Sequence, residues 1–322
     1  DVVRSRGLGD VYKRQAHRYP DGNGTKLKQK ISKLEGVPLD SITLGNGSND
    51  LIEFSARAFL TNGDNALYFK HGFAIYPLAI LATGADLREL PVTENYHQDL
   101  TSVINFVDKK SKVVFIASPN NPTGSANTFS EIEAMLNDLP NDLIVFLDQA
   151  YFEYIEDEKY KLPFDLIDKY QNLIISRSFS KAHGLAAYRL GYSISSQKIA
   201  DYLNRVRQPF NVSSFALEAG IASLNDMEHL RKSVDLNQRE KNKLMQFFKK
   251  ENIEYLPTQG NFFSFSLDTD SDETFEAFLN EGIILRSLKS YNMDRFVRVS
   301  IGQESENDAF IEAAKKIKGS RN

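Results

Sequence analysis

The sequence contains no cysteine. That excludes disulfides, cysteine-ligated zinc and thiol catalysis together. Histidine is scarce as well: there are five in 322 residues, none spaced as HExxH, so no metal site is expected. No apolar run approaches the roughly 18 residues that a membrane span needs. Charge is nearly balanced, with 39 Lys and Arg against 43 Asp and Glu and a net charge of -4. Without a long basic run, the electrostatic footprint of a nucleic-acid-binding protein is missing. No signal-peptide pattern opens the sequence, and a cytoplasmic protein is expected. What is present is ordinary for a soluble globular enzyme: 41% hydrophobic and 25% charged residues, in a chain long enough for one large and one smaller unit.

The first stretch, DVVRSRGLGDVYKRQ (1–15), has neither an initiator methionine nor hydrophobic periodicity. It reads as a non-native leader or a disordered arm, and carries no fold expectation. Residues 16–43 read as an N-terminal segment joining a small domain. From Ser41 the chain alternates apolar runs with amphipathic stretches. Strands are predicted at SITLG (41–45), NALYF (65–69), ADLRELPV (85–92), KVVFIAS (112–118), LIVFLD (143–148), LIISRSF (173–179) and RLGYSI (189–194). Helical patterns fall between them at 48–60, 74–84 and 130–139. Continuous Val, Ile, Leu and Phe runs separated by helices predict an α/β domain, a mainly parallel sheet covered on both faces, over 44–225. A long charged helical pattern (226–251) then opens a stretch of α+β character, read as a smaller domain over 226–322.

Chemistry-bearing residues fall at the ends of these predicted strands. LGNGSND (44–50) runs from a strand through a glycine turn into a helix, so Gly47, Ser48 and Asn49 offer free backbone N–H groups suited to a phosphate, with Ser48 as the helix cap. A plain helix start explains that segment equally well. SPNNPTG (118–124) is a rigid turn at a strand's carboxyl end, where ligands sit in open α/β sheets. In FLDQAYFEY (146–154), Asp148 closes a strand and Tyr151 follows three residues later. In SRSFSKAHGLAAYRLGY (176–192), Lys181 stands among Ser178, Ser180 and Arg189. Two hydroxyls and an arginine beside a lysine make a phosphate pocket next to a nucleophilic amine. One cofactor accounts for all four segments. Pyridoxal phosphate needs an amine for a Schiff base, an acid at its ring nitrogen, donors at its ring hydroxyl and a phosphate cup. Lys181 meets the first need, Asp148 the second, Asn121 and Tyr151 the third, and Ser178, Ser180, Arg189 and the Ser48 turn the last.

The sequence resembles the fold-type I pyridoxal-phosphate aminotransferases, and within them the histidinol-phosphate branch. The resemblance rests on ordered segments: RYPDGNG (18–24), LGNGSNDLI (44–52), FAIYP (73–77), SPNNPTG (118–124), LDQAY (147–151), SFSKAHGLAAYRLGY (178–192), GIILR (282–286) and RVSIG (298–302). It implies a seven-stranded, mainly parallel sheet sandwiched by helices, a homodimer, and a transaminase acting on phosphorylated amino acids and keto acids. It also implies that Phe73 stacks on the cofactor ring and that Arg298 holds the substrate α-carboxylate. Arg286, with Tyr19 reaching from a partner subunit, would meet the substrate's distal phosphate. The family aminates imidazole-acetol phosphate with glutamate, by a mechanism in which the freed lysine moves a proton from Cα. Gln149 departs from the glutamate usual at its position, and His71–Gly72 from the commoner Pro–Thr; the family's N-terminal arm is missing ahead of His17, which puts full activity and dimerisation of this chain in question. Alternatives on the same fold are a threonine-phosphate decarboxylase and an aromatic-amino-acid aminotransferase. A different class, the effector domain of a transcription regulator, would carry a DNA-binding helix-turn-helix ahead of this fold, and no such pattern is read before residue 17.

Overall fold

A computed structural model describes residues 17–319. The leader over residues 1–15 lies outside the described residues. Seven strands form one sheet: β1 (Ile42–Gly45), β2 (Asn65–Phe69), β3 (Asp86–Leu90), β4 (Ser111–Ala117), β5 (Ile144–Asp148), β6 (Leu173–Ser178) and β7 (Gly191–Ser195), in the order β1-β7-β6-β5-β4-β2-β3. Strands β6, β5, β4, β2 and β3 run parallel, and β7 is antiparallel to both of its neighbours. Every predicted strand is present, with shifts of a few residues at the ends. The central strands are buried along their whole length, which explains why they read as unbroken apolar runs rather than alternating ones.

Helices cover both faces, because alternate residues of each strand point to opposite sides. Against one face pack α1 (Thr25–Glu35), α4 (Phe129–Asp138) and α6 (Ser214–Asn225), through Leu27, Ile31, Ile132, Met135 and Leu217. Against the other pack α2 (Ser48–Phe59), α3 (Ile75–Leu81) and α5 (Gln197–Val206), through Leu51, Phe54, Tyr76, Ile80 and Leu203. Start signals explain two of these helices. Thr128 and Glu131 form a reciprocal capping box at α4. Helix α3 carries Pro77 within its first turn, where the missing N–H is not required.

Beyond the 24-residue helix α7 (Met227–Lys250), a second, antiparallel sheet forms from β8 (Glu254–Tyr255), β9 (Phe262–Ser266), β10 (Arg286–Ser287) and β11 (Val297–Ser300), in the order β10-β11-β9-β8. Its core is aromatic: Phe248, Phe263, Phe265, Phe278 and Phe310 pack together beneath α7, α8 (Ser271–Asn280) and α9 (Glu304–Gly319). No helix among the described residues is long and apolar enough to cross a membrane.

The topology brings three motifs to one edge. Parallel strands β4, β5 and β6 are adjacent, so SPNNPTG, Gln149–Tyr151 and Ser180–Lys181 leave the sheet side by side at its carboxyl end. The antiparallel β7 returns the chain so that Gly191 lies opposite Ser178 and Gly45, which delivers the β1–α2 turn to the same edge.

Candidate active site

A cavity of about 240 Å³ opens at this edge. Ser48, Asn49, Phe73, Asn121, Asp148, Tyr151, Ser178, Ser180, Lys181 and Arg189 all line it. Residues drawn from separate strands thus converge on one space. Gly47 lies just behind: its φ of 82° is left-handed, and a Cβ there would come within 2.3 Å of Arg189 Nη2. Glycine is required at that position both for its backbone and for the approach of the guanidinium.

Asp148 sits at the floor, 4% exposed. Its Oδ1 accepts from Ser176 Oγ and from the Ala150 N–H, each at 3.1 Å, and its Oδ2 accepts from Tyr76 OH at 3.1 Å. Burial pushes the carboxyl up from its ordinary value, while these three donors and the nearby Lys181 pull it back down. Lys181 is shifted the other way. Burial lowers its ammonium, Arg298 and Arg189 add to that, and Asp148 opposes them. The shift runs toward the neutral amine, the form that attacks a carbonyl carbon. Lys181 Nζ lies 5.0 Å from the centre of the Tyr151 ring. The Tyr151 phenol is itself pushed up to about 12 by burial, so it stays protonated and able to donate.

At the opposite end the groups suit an anion. The Ser180 N–H donates to Ser178 Oγ at 3.1 Å, and Arg189 Nη1 donates to Ser180 Oγ at 3.3 Å. Arg189 itself is left-handed, with φ 55°, an uncommon conformation for a residue carrying a side chain. The turn beginning at Ala186 is closed that way, and its guanidinium is delivered to the cavity mouth. Helix α2 begins at Ser48, aiming free N–H groups at the same place. One sequence expectation is corrected here. Ser48 does not cap the helix: Gly47 is the N-cap residue and no side chain caps it. The left-handed glycine starts the helix one residue earlier than the hydroxyl could, and Asp50 Oδ2 takes the Asn46 N–H at 2.8 Å instead.

Arg298, on β11, donates to Asn121 Oδ1 and stacks 5.2 Å from the Phe262 ring, which in turn meets Tyr151 edge-on. Ser264 Oγ donates to Pro122 O at 2.5 Å, and the buried Asn120 amide donates to His71 O at 3.1 Å. The SPNNPTG turn is therefore clamped between the two sheets, which brings Arg298 against Asn121 of the cavity lining while Arg298 itself lines a neighbouring depression. Arg286 pairs in register with Arg298 but is exposed, lining a neighbouring depression with Ile284 and Ser300. Tyr19 is 81% exposed and stacks on Phe210 at 4.6 Å, away from the cavity of its own chain.

Two residues with a clear place in the site are absent from the sequence-based set, Tyr76 and Ser176. Ser176 was legible in principle. It pairs with Asp148 across parallel strands and shares a face with Ser178, two residues on. Tyr76 carried only a weak signal, as an aromatic one helical turn after Phe73. Gln149, by contrast, points to the other face, where its Oε1 accepts from Arg177 Nε at 3.1 Å.

The donor set fits the cofactor that the sequence suggested. An amine, a buried carboxylate, an aromatic at the wall and a cup of hydroxyls, N–H groups and a guanidinium answer the aldehyde, ring nitrogen, ring face and phosphate of pyridoxal phosphate. Known proteins agree. The family described as aminotransferase class I and II matches residues 10–313. Histidinol-phosphate aminotransferase 2 of Haemophilus influenzae is 44% identical over 93% of this chain and 82% of its own length. The corresponding protein of Pseudomonas aeruginosa is 43% identical over 93% and 81%. Among solved structures, histidinol-phosphate aminotransferase from Sinorhizobium meliloti in complex with pyridoxal-5'-phosphate superposes with a TM-score of 0.90 at 23% identity, over 97% of this chain and 86% of that one. A family match over most of the chain, on a sheet whose carboxyl edge gathers these side chains, places the protein among the class I and II aminotransferases.

Proposed function

We propose that this protein is a pyridoxal-phosphate-dependent transaminase that moves an amino group between histidinol phosphate and 2-oxoglutarate, in the biosynthetic direction from glutamate to imidazole-acetol phosphate. One observation carries the cofactor: Asp148, at the end of β5, and Lys181, in the turn after β6, face one small cavity whose far end gathers Ser178, Ser180 and Arg189. The names of the relatives support the phosphorylated substrate.

When bound, pyridoxal phosphate supplies an electron sink for the bond pair left at the substrate's Cα. Lys181 anchors the aldehyde carbon through its Nζ. As a free amine, Lys181 would move the proton at the substrate's Cα. Asp148 holds a proton at the ring nitrogen by remaining ionised beside it. The amide of Asn121, whose Oδ1 is taken up by Arg298, has its N–H groups free for the ring hydroxyl, alongside the Tyr151 phenol. Phe73 covers the ring's face. Gly47 admits Arg189, and the N–H groups of Ser48 and Asn49 together with Ser178, Ser180 and Arg189 hold the phosphate. Arg298 presents a planar fork to the substrate α-carboxylate. Arg286 and the partner subunit's Tyr19 meet the distal phosphate.

The enzyme works as a cytoplasmic homodimer. The exposed aromatic group of Tyr19, Phe210 and Phe215 supplies apolar surface for the contact. Each subunit divides into a large domain over 44–225 and a small one over 226–322; the segment over 16–43, expected to join the small domain, instead packs through α1 against the large domain's core. The test is an assay with histidinol phosphate, threonine phosphate and phenylalanine as competing donors, run with wild type and Lys181→Ala. Release of a keto acid from histidinol phosphate in preference to the others is the expected result. Release of CO2 from threonine phosphate, or turnover by Lys181→Ala, overturns the assignment.

A further inference from the structure

Tyr76 lies one turn after Phe73 at the start of α3, and its N–H donates to Phe73 O at 3.0 Å. It is 1% exposed. Its ring lies flat on Phe115 of β4, with centroids 5.3 Å apart and planes at 13°, so the sheet fixes its orientation. From that position it makes two contacts at once. Its hydroxyl donates to Asp148 Oδ2 at 3.1 Å, and its ring meets Phe73 nearly perpendicularly, with centroids 5.9 Å apart.

The two carboxylate oxygens of Asp148 are engaged differently. Oδ1 already accepts from two donors, Ser176 Oγ and the Ala150 N–H. For Oδ2 Tyr76 is the donor, and the carboxyl faces the cavity. A carboxylate oxygen has room for a second hydrogen bond, so Oδ2 can take one more from a ligand N–H. The ionisable groups that face Asp148 are Tyr76 from α3, Tyr151 from the turn after β5 and Lys181 from the turn after β6. Burial and the neighbouring carboxylate hold the Tyr76 phenol well above its ordinary value, so it remains a donor throughout the working range.

We propose that Tyr76 is a positioning residue for the reaction: one side chain that orients the acid opposite the cofactor's ring nitrogen through its hydroxyl, and the aromatic that covers the ring's face through its edge. The inference rests on the cofactor reading above and adds a residue to it. Removing the hydroxyl takes away one of the donors that keep Asp148 ionised against burial, so its carboxyl rises further. The carboxylate is then lost at a higher pH, and with it the partner of the protonated ring nitrogen.

The experiment measures pyridoxal-phosphate affinity from about pH 5 to 9 for wild type, Tyr76→Phe, Tyr76→Leu, Asp148→Asn and the Tyr76→Phe/Asp148→Asn double variant. Tyr76→Phe is expected to bind roughly ten- to a hundredfold more weakly near neutrality, with the acid limb of its binding curve moved to higher pH. In the Asp148→Asn background the same change is expected to cost nothing further. Tyr76→Leu is expected, in addition, to weaken the visible circular dichroism of the bound cofactor, because Phe73 loses its edge contact; Tyr76→Phe retains that signal. A Tyr76→Phe profile that overlays wild type overturns the proposal. So does an equal loss in the Asp148→Asn background, which would mark Tyr76 as packing alone. A wild-type chain that takes up no pyridoxal phosphate overturns the cofactor reading and this inference together.

Discussion

Asp148 and Gln149 are neighbours in sequence and sit on opposite faces of the same sheet edge, and their surroundings differ in kind. On the Asp148 face the polar groups surround a cavity, and each carboxylate oxygen has a donor. On the Gln149 face the polar groups are packed shut. Arg177, 5% exposed, lies 3.2 Å beneath the Phe152 ring and 4.8 Å from that of Phe164, with Gln149 as its acceptor. Glu153 and His183 are close by, yet Gln149 Nε2 and Glu153 Oε2 have no partner. Burial drives the Glu153 carboxyl up to about 7 in spite of Arg177, and lowers the His183 imidazole to about 4. Both faces thus hold buried charge, but only one leaves space for a ligand beside it. The contrast teaches that burial and shifted ionisation do not by themselves mark a working site. The open space facing the shifted groups does.

This contrast can be broken at four points, in descending order of effect. Lys181→Ala removes the amine on the open face; turnover should fall by more than about 10³-fold and the bound cofactor's visible absorbance band should vanish. Asp148→Asn removes the charge there; kcat/KM should drop about 10²–10³-fold, as expected for loss of a buried charge pair worth about 3–4 kcal/mol. Arg298→Lys keeps the charge but loses the fork, so KM for donor and acceptor should rise about tenfold with a smaller change in kcat. Glu153→Gln, on the closed face, should leave kcat within about twofold and change only how stability follows pH. The sign follows from a carboxyl raised from 4.5 to about 7 by folding. Between those values the folded chain keeps a proton that the unfolded chain releases, so wild-type stability declines as pH rises through that window, by on the order of 3 kcal/mol at most. Denaturant titrations across the window should show that decline in wild type and a flatter profile in Glu153→Gln. If Glu153→Gln instead lowered kcat as far as Asp148→Asn, the distinction between the two faces would be lost.

Much of the fold was legible because the sheet's strands are buried on both sides. A doubly buried strand must be apolar throughout, and runs such as IVFLD and LIISRS announce themselves without reference to neighbours. Strand ends were less sharp. RLGYSI was read as beginning at Arg189, but that residue is left-handed and closes a turn, and β7 starts at Gly191. Lys181, Asp148, Asn121 and Tyr151 were legible because each closes a strand or follows its carboxyl end within a few residues. Tyr76 was not, because a helical aromatic with an apolar neighbourhood looks the same whether its hydroxyl is free or bonded to a residue 72 positions away. Gln149 departed from the expected glutamate, and only its position on the far face explains why the cavity tolerates it.

The sequence alone determined the order of strands and helices, the family, and which residue types could meet an aldehyde, a ring nitrogen and a phosphate. Local hydrophobic pattern and short motifs hold that information, since both act over a few residues. The tertiary structure alone decided that Arg298 reaches Asn121 across 177 positions, that Tyr76 supports Asp148, and that Arg286 lies outside the cavity. Those outcomes depend on strand register and on how two sheets clamp one turn. Contacts of that kind are selected by the packing of the whole chain, so no local stretch encodes them.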